Sequence, residues 1–371
     1  MNSISLQNQN QKEVSIKDQM KKFLIKGFYG FNTVLTFGLG QRLGIFDYLY
    51  KKAKASAGIS SLSSINFTVE EISEKLNLNL KYIDAWVHLG LVCGLFEIKD
   101  TIKREIETAP HVYSLLIDRN HMFYVGDTIG AFYYLAPYQD SILEYIKGAG
   151  TLTTTEFYGE YPEEVIRATQ KMSARVGSLI ERLFAKNFKD FCRTLRSDSS
   201  ILSVGCGYGY TLAMWAKKYK KARFVGIDID SRGISAAQKL MEENNLSERV
   251  KILEIPLDKY AKQSEIKFNL ILLNQVLHEM EKDNTYRLNL FNDLHILLEE
   301  DGILLVAESM IHDTFDPAEE FQLFDIMHKF LEADFAGFYD EKSFKQFINS
   351  TPFKKADFIK EKGTYFWIIR K

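Results

Sequence analysis

The run Gly205-Cys206-Gly207-Tyr208-Gly209 constrains the fold of this chain more than any other feature. It follows Ile201-Leu202-Ser203-Val204, which reads as a buried strand, and it precedes a helical pattern that begins at Tyr210. Glycine reaches left-handed backbone angles without a steric penalty, so three glycines spaced by two make a tight strand-to-helix turn that a ligand can approach closely. The helix start behind the turn offers unpaired N–H groups to negative charge. The next apolar run, Val225-Gly226-Ile227, ends on Asp228. There a carboxylate can accept both hydroxyls of a ribose. Turn and acid together specify an adenosyl ligand at the switch point of a parallel sheet.

The surrounding pattern agrees. From Ser197 onward strands are expected at 201–204, 223–227, 250–255, 268–273, 303–307, near Phe358 and at 365–369. Helices fall between them, at 210–220, 231–244, 283–298 and within 317–349. Such alternation predicts an α/β fold with a Rossmann-like, doubly wound sheet. Before Ser197 the periodicity is helical. Phe31, Val34, Leu35, Leu39, Leu43 and Phe46 recur at helical spacing, and Gly27–Gln41 is an uncharged stretch that reads as buried helix. Ala53–Ser64 reads as a loop. Thr68 with Glu71 has the capping-box spacing and opens a helix over 69–76. A second helix over 80–93 carries Ile83, Val87 and Leu91, and strands follow at 96–98 and 104–107, which is the winged-helix pattern. The expected division is a disordered lead-in over 1–15, a winged-helix-like dimerisation domain over 16–110, a helical linker or substrate lid over 111–196, and the ligand-binding domain over 197–371.

Composition excludes several classes. The chain carries 47 Lys and Arg against 49 Asp and Glu, a formal charge of −2, which argues against a dedicated nucleic-acid binder. The helix over 80–93 offers only Lys81, Asp84 and His88, no set for reading base edges. Three scattered cysteines, Cys93, Cys192 and Cys206, provide neither a disulfide framework nor a CxxC metal site. The other histidines lack ligand spacing, so no metal is expected. The polar stretch Met1–Met20 contains no signal peptide, and Gly27–Gln41 is too short to span a bilayer, so a cytoplasmic setting is expected.

Tyr210 stands where a dinucleotide fingerprint has its third glycine. The G-x-G-x-G spacing instead resembles the first motif of class I S-adenosylmethionine-dependent methyltransferases. The resemblance runs over residues 200–371. Phe268–Asn274 is similar to the family's fourth strand, Val276-Leu277-His278-Glu279 to the segment after it, and Tyr365–Ile369 to its antiparallel finish. It implies a seven-stranded sheet and S-adenosylmethionine as cofactor. Gly205, Gly207 and Gly209 would cradle the cofactor and Asp228 would hold its ribose. Leu257 would wall the adenine, with Asp258 the nearest acid for its amino group, and Ser203 and Asn274 would complete the contact set. Ser203 and Asn269 stand where the family carries acids.

His278-Glu279-Met280 resembles the His-Asp-Trp segment of the two-domain O-methyltransferases of small aromatic metabolites, whose histidine is the general base. Val306-Ala307-Glu308 resembles the strand end whose acid orients that histidine. A phenol, with a pKa of about 10, is a poor nucleophile at neutral pH. A positioned base contributes ~10²–10⁴-fold, and a carboxylate behind the imidazole fixes its tautomer. A plainer reading stays open, in which His278 only packs beside the cofactor and Glu308 is a solvated strand end. The family's further acid falls near Phe338-Tyr339-Asp340, where no Glu-Arg-Thr run exists.

Phe37–Asp47 resembles the helix that subclass exchanges across a homodimer, and Thr68–Leu76 resembles its threonine-x-glutamate-glutamate-leucine-alanine helix. His88–Phe96 resembles the helix that leads into the wing, so a homodimer through the N-terminal domain is expected. Ala168–Ser173 resembles the subclass's acceptor region, making Met172 either a wall of the acceptor site or helix core. Phe157 and Tyr158 are candidate lid residues, and Phe324 and Met327 candidate pocket walls. Aromatics make up 13 % of the chain, with clusters at 120–165 and 315–345, the segments expected to enclose the acceptor. The expected activity is methyl transfer to a hydroxyl oxygen of an apolar, aromatic small molecule. The alternatives are N- or C-methylation, or a cofactor-binding protein that has lost transfer. Neither nucleic acid nor a membrane is an expected partner.

Overall fold

The computed structural model describes residues 15–55, 64–119, 121, 123–135, 139–148, 163–311, 330, 337–361 and 364–371. The chain divides into two compact units, residues 1–136 and 137–371.

In the first unit, α1 (Ile16–Arg42) and α2 (Ile45–Ala55) precede a short strand β1 (Asn66–Phe67). The helices α3 (Val69–Leu76) and α4 (Leu80–Val92) follow, then β2 (Phe96–Asp100), β3 (Glu105–Thr108) and, after a π-helical turn, α5 (Gly126–Leu135). The three strands pair in the order β1-β3-β2. Phe37, Phe46, Trp86 and Phe96 stack through the core, and the Trp86 indole donates to the carbonyl of Thr36 at 2.8 Å. Two features differ from expectation. Gly27–Gln41 is buried only from Thr36 onward, and Phe28 and Phe31 are 62 % and 64 % exposed, the first half of α1 standing clear of the core of the described residues of its unit. The capping box is half made. Thr68 accepts the N–H of Glu71 at 3.1 Å, but the Glu71 carboxylate turns to α2, where the Tyr48 hydroxyl (2.6 Å) and the Lys52 ammonium (2.5 Å) donate to it.

The second unit opens with α6 (Gln139–Ile146), α7 (Glu163–Asn187) and α8 (Lys189–Arg196). The alternating part then runs β4 (Ser200–Val204), α9 (Tyr210–Lys218), β5 (Arg223–Asp228), α10 (Ser231–Glu243), β6 (Val250–Glu254), α11 (Leu257–Gln263), β7 (Phe268–Asn274), α12 (Asn284–Leu297), β8 (Leu298–Ser309), α13 (Glu341–Asn349), β9 (Lys355–Glu361) and β10 (Thr364–Arg370). The seven strands β4–β10 form one sheet in the order β6-β5-β4-β7-β8-β10-β9, with β10 antiparallel to both neighbours. This is the doubly wound sheet that the alternation predicts.

Strand residues alternate between two cores. Ile201, Phe224, Leu270 and Leu305 face α7–α10, while Leu202, Val225, Ile271 and Leu304 face α11–α13. Burial on both faces explains why these strands read as continuous apolar runs. Ile180 and Phe184 of α7 and Phe191 and Leu195 of α8 pack in the first of these cores, so this part of the expected linker is built into the sheet's cover. Connectivity reverses between β4 and β7, and the carboxyl ends of those strands therefore face a crevice.

Candidate active site

The glycine turn closes that crevice. Gly205, Gly207 and Gly209 have φ of +65°, +49° and +71°, the left-handed region that favours glycine. A Cβ on Gly205 would stand 2.3 Å from Val276 Cγ2, and one on Gly207 2.0 Å from Gln170 Oε1. Gly209 works differently. It caps α9 and lets the turn approach Ala237 and Met241 of α10, and it lies outside the cavity wall. Among the described residues no side chain caps the start of α9, whose N-terminal end faces the cavity through Tyr210 and Thr211.

Asp228 ties the turn to the tip of β5. Its Oδ2 accepts from Gly207 N at 2.7 Å and its Oδ1 from Ile229 N (2.7 Å) and Asp230 N (3.0 Å). Burial pushes the carboxyl pKa up, and the three N–H donors only partly offset it. Burial likewise raises the Cys206 thiol well above its ordinary value.

A cavity of about 660 Å³ opens beside the turn, within the range of small-molecule sites. Ser203, Gly205, Gly207, Asp228, Leu257 and Asn274 line it together, although they are separated by up to 71 positions in the chain. Asn274 donates through Nδ2 to the Ser173 carbonyl at 2.9 Å, which leaves its buried Oδ1 without a partner on the cavity side of β7. Asp258 does not join them. It is exposed at the start of α11 and pairs with Lys262 at 3.6 Å, whereas Glu281 and Tyr286 line the cavity. Asn269 sits at the opposite end of β7, where its Oδ1 accepts from Ser200 N at 2.9 Å and joins two strands. The lining carries four carboxylates, Asp228, Asp230, Glu279 and Glu281, against the single guanidinium of Arg232. Such a wall favours a ligand with net positive charge.

His278 and Glu308 meet beyond this wall. The short 3₁₀ turn Leu277–Glu279 after β7 carries the histidine, and the penultimate position of β8 carries the acid. Their Nδ1 and Oε1 lie 2.6 Å apart, and each residue is 1 % exposed. Glu308 Oε2 also accepts from Leu277 N at 2.9 Å, so the carboxylate holds both ring and backbone. His278 Nε2 lies 3.9 Å from Glu279, a cavity-lining residue. The Phe338 ring stacks on the imidazole at 4.7 Å. Asp340 instead caps α13 in a capping box, a helix-starting role rather than that of a third acid.

Met172 is part-buried on α7 beside the lining residues Gln170, Ser173 and Ala174 and is not itself on the wall. Phe157, Tyr158, Phe324 and Met327 lie outside the described residues. Sequence reasoning missed Gln170, whose Oε1 accepts from Tyr208 N at 3.3 Å. It also missed Gln275, Glu279 and Glu281 as cavity residues. Gln170 sits within the Ala168–Ser173 run, but no periodicity marks a helix residue that reaches a turn 37 positions away.

Residues 202–304 match a family described as methyltransferase domain. The chain is 28 % identical over 146 residues to ribosomal protein L11 methyltransferase of Thermosipho africanus (strain TCF52B), a match covering 39 % of this chain and 50 % of that protein. It thus spans about half the length of that curated relative. Solved structures match over nearly the whole chain. An O-methyltransferase family protein from Burkholderia thailandensis has a TM-score of 0.67 at 14 % identity, with 96 % of this chain and 98 % of that one covered. Human N-acetylserotonin methyltransferase in complex with SAM has a TM-score of 0.65 at 14 % identity, covering 96 % and 99 %. Mitomycin 7-O-methyltransferase gives 0.65 at 13 %, covering 96 % and 98 %. Residues 202–304 are thus similar to a methyltransferase domain, and the chain has the fold of these O-methyltransferase structures.

Proposed function

We propose that the protein transfers a methyl group from S-adenosylmethionine to a hydroxyl oxygen of an apolar, aromatic small molecule, with His278 as general base. The observation that carries this reading is the buried His278–Glu308 pair at 2.6 Å, set at the carboxyl ends of the two strands beside the glycine-turn cavity. The residues fit the cofactor. Gly205 and Gly207 line the cavity and let the turn pack against Val276 and Gln170, the start of α9 points its N–H groups toward a carboxylate, and Asp228 Oδ2 retains one lone pair for a ribose hydroxyl. Ser203 and the unpartnered Oδ1 of Asn274 offer acceptors to an ammonium, and Leu257 forms an apolar wall.

When bound, S-adenosylmethionine supplies a sulfonium-borne methyl as electrophile. The chain's own part is proton handling. Glu308 at Nδ1 selects the tautomer that leaves Nε2 as the acceptor, on the side of Glu279 and the cavity. Nε2 takes the hydroxyl proton as the oxygen gains its methyl, and Glu308 stabilises the imidazolium that results. Titration calorimetry with S-adenosylmethionine and S-adenosylhomocysteine tests the cofactor. His278→Ala should lower kcat by ~10²–10⁴-fold with unchanged cofactor affinity, and full turnover in that variant would remove the base from the reading.

One observation favours a second reading, a cofactor-binding protein without transfer: the His278 ring is 1 % exposed and stacked beneath Phe338. Cofactor binding without product across a panel of phenols and amines would decide for it. A pH–rate profile lacking the ionisation of a general base would instead favour N- or C-methylation. We also infer a homodimer paired through α1, supported by its exposed apolar stripe, and a cytoplasmic setting.

A further inference from the structure

Arg287, in the first turn of α12, is 3 % exposed, and its guanidinium bonds to main-chain carbonyls of one loop. Nε donates to Glu281 O at 2.9 Å, and Nη2 donates to Leu277 O at 3.1 Å and Met280 O at 3.2 Å. That loop, 277–281, carries His278. The opposite side of the guanidinium meets the segment that roofs the imidazole. The Tyr339 ring lies 4.8 Å from Cζ, and a Cβ on Gly337 would stand 2.4 Å from Nη2. Gly337 in turn donates its N–H to the His278 carbonyl at 2.6 Å, and Phe338 stacks on the ring. One buried cation therefore touches both the loop that carries the histidine and the segment that covers it.

Burying a guanidinium is costly, and its geometry must be excellent to offset desolvation. An apolar side chain could fill the same space beneath α12 without that cost. What an apolar residue cannot do is hold three carbonyls of an irregular turn, whose C-terminal carbonyls have no partner in a continuing helix.

We propose that Arg287 is a positioning residue for the His278 imidazole, locking loop 277–281 and roof 337–339 into one unit. The proposal rests on the reading of His278 as the base. Arg287→Lys keeps the charge but reduces the planar fork to a point donor that cannot span three carbonyls. We expect kcat to fall ~10-fold or more and S-adenosylhomocysteine affinity to fall by clearly less, because the same loop carries Glu279 and Glu281 of the cavity wall. Tyr339→Leu, which keeps the guanidinium and removes the stacked ring, should give a smaller fall of the same kind.

A second readout needs no turnover. In protein labelled with ¹⁵N-histidine, the His278 imidazole signals, assigned through His278→Gln, should shift in both variants while the other six of the seven histidines stay in place. An unmoved His278 resonance overturns the proposal. So does a loss of S-adenosylhomocysteine affinity in step with kcat, which marks a merely structural role. A wild-type protein that transfers no methyl to any acceptor would sink the proposed function, while the resonance shift would still report on the hold of Arg287.

Discussion

The Asp228 carboxylate serves the fold, and in the proposed function it serves the ligand as well. Its oxygens already accept three N–H groups, so the glycine turn is in place before any ligand arrives. Its pKa is raised from 3.8 by burial, which gives its pH dependence an unusual sign. Between 3.8 and the raised native value the folded state binds the proton that the unfolded state has released, so this group's contribution to stability falls as pH rises through that window. Ligand binding runs the other way, because a ribose hydroxyl donates to the ionised carboxylate. We predict that S-adenosylhomocysteine affinity weakens on acidification at a pH above the ordinary aspartate range, and that Asp228→Asn binds more weakly with a flatter profile. Calorimetry across pH checks both. At Gly205 a methyl would meet Val276 at 2.3 Å in a backbone conformation that costs an L-residue ~1–2 kcal/mol. Gly205→Ala should therefore lower the melting temperature and raise the cofactor Kd at least ~10-fold, roughly a further 1.4 kcal/mol.

Among the elements, α2 and α3 are joined by one network that a cap-based reading assigns to α3 alone. Burial pushes the Glu71 carboxyl up, but the donors Lys52 and Tyr48 outweigh it and leave its pKa below 4.5. The same contact helps to push the Tyr48 phenol up to about 12, after burial. A depressed carboxyl contributes stability that is fully present above 4.5 and lost as pH falls through the native pKa. Glu71→Gln should cost about 1 kcal/mol at neutral pH, a value already reduced for screening at a half-exposed site. The difference from wild type should vanish in acid, as urea unfolding at the two pH values would show.

The same contrast separates what the sequence made legible from what it did not. Strands β4, β5 and β7 were plain because burial on both faces leaves unbroken apolar runs, and the glycines and Asp228 were plain because their chemistry is local to the turn. Asp258 and Glu281 were not, since the choice between them depends on how α11 and the loop after β7 pack side by side. Arg287 carries no sequence signal, because nothing local marks a charge on a helix as buried. Only tertiary structure reveals that its partners are carbonyls.

At the level of the whole molecule, the exposed stripe of α1 invites a second copy. Phe23, Phe28 and Phe31 are each more than 60 % exposed, while Gly38 and Gly40 further along are tightly packed. Among the described residues no helix is long and apolar enough to cross a membrane. Phe28→Glu combined with Phe31→Glu should convert a dimer to monomers, read by light scattering on a sizing column, with the glycine-turn cavity still able to bind S-adenosylhomocysteine. A monomeric wild type would remove the pairing.

The order of strands also has a consequence for the edges of the sheet. β10 is inserted between β8 and β9, and its residues Tyr365–Ile369 are fully buried. Without residues 364–370 the sheet would therefore leave the edges of β8 and β9 unpaired, the geometry that invites pairing with other chains.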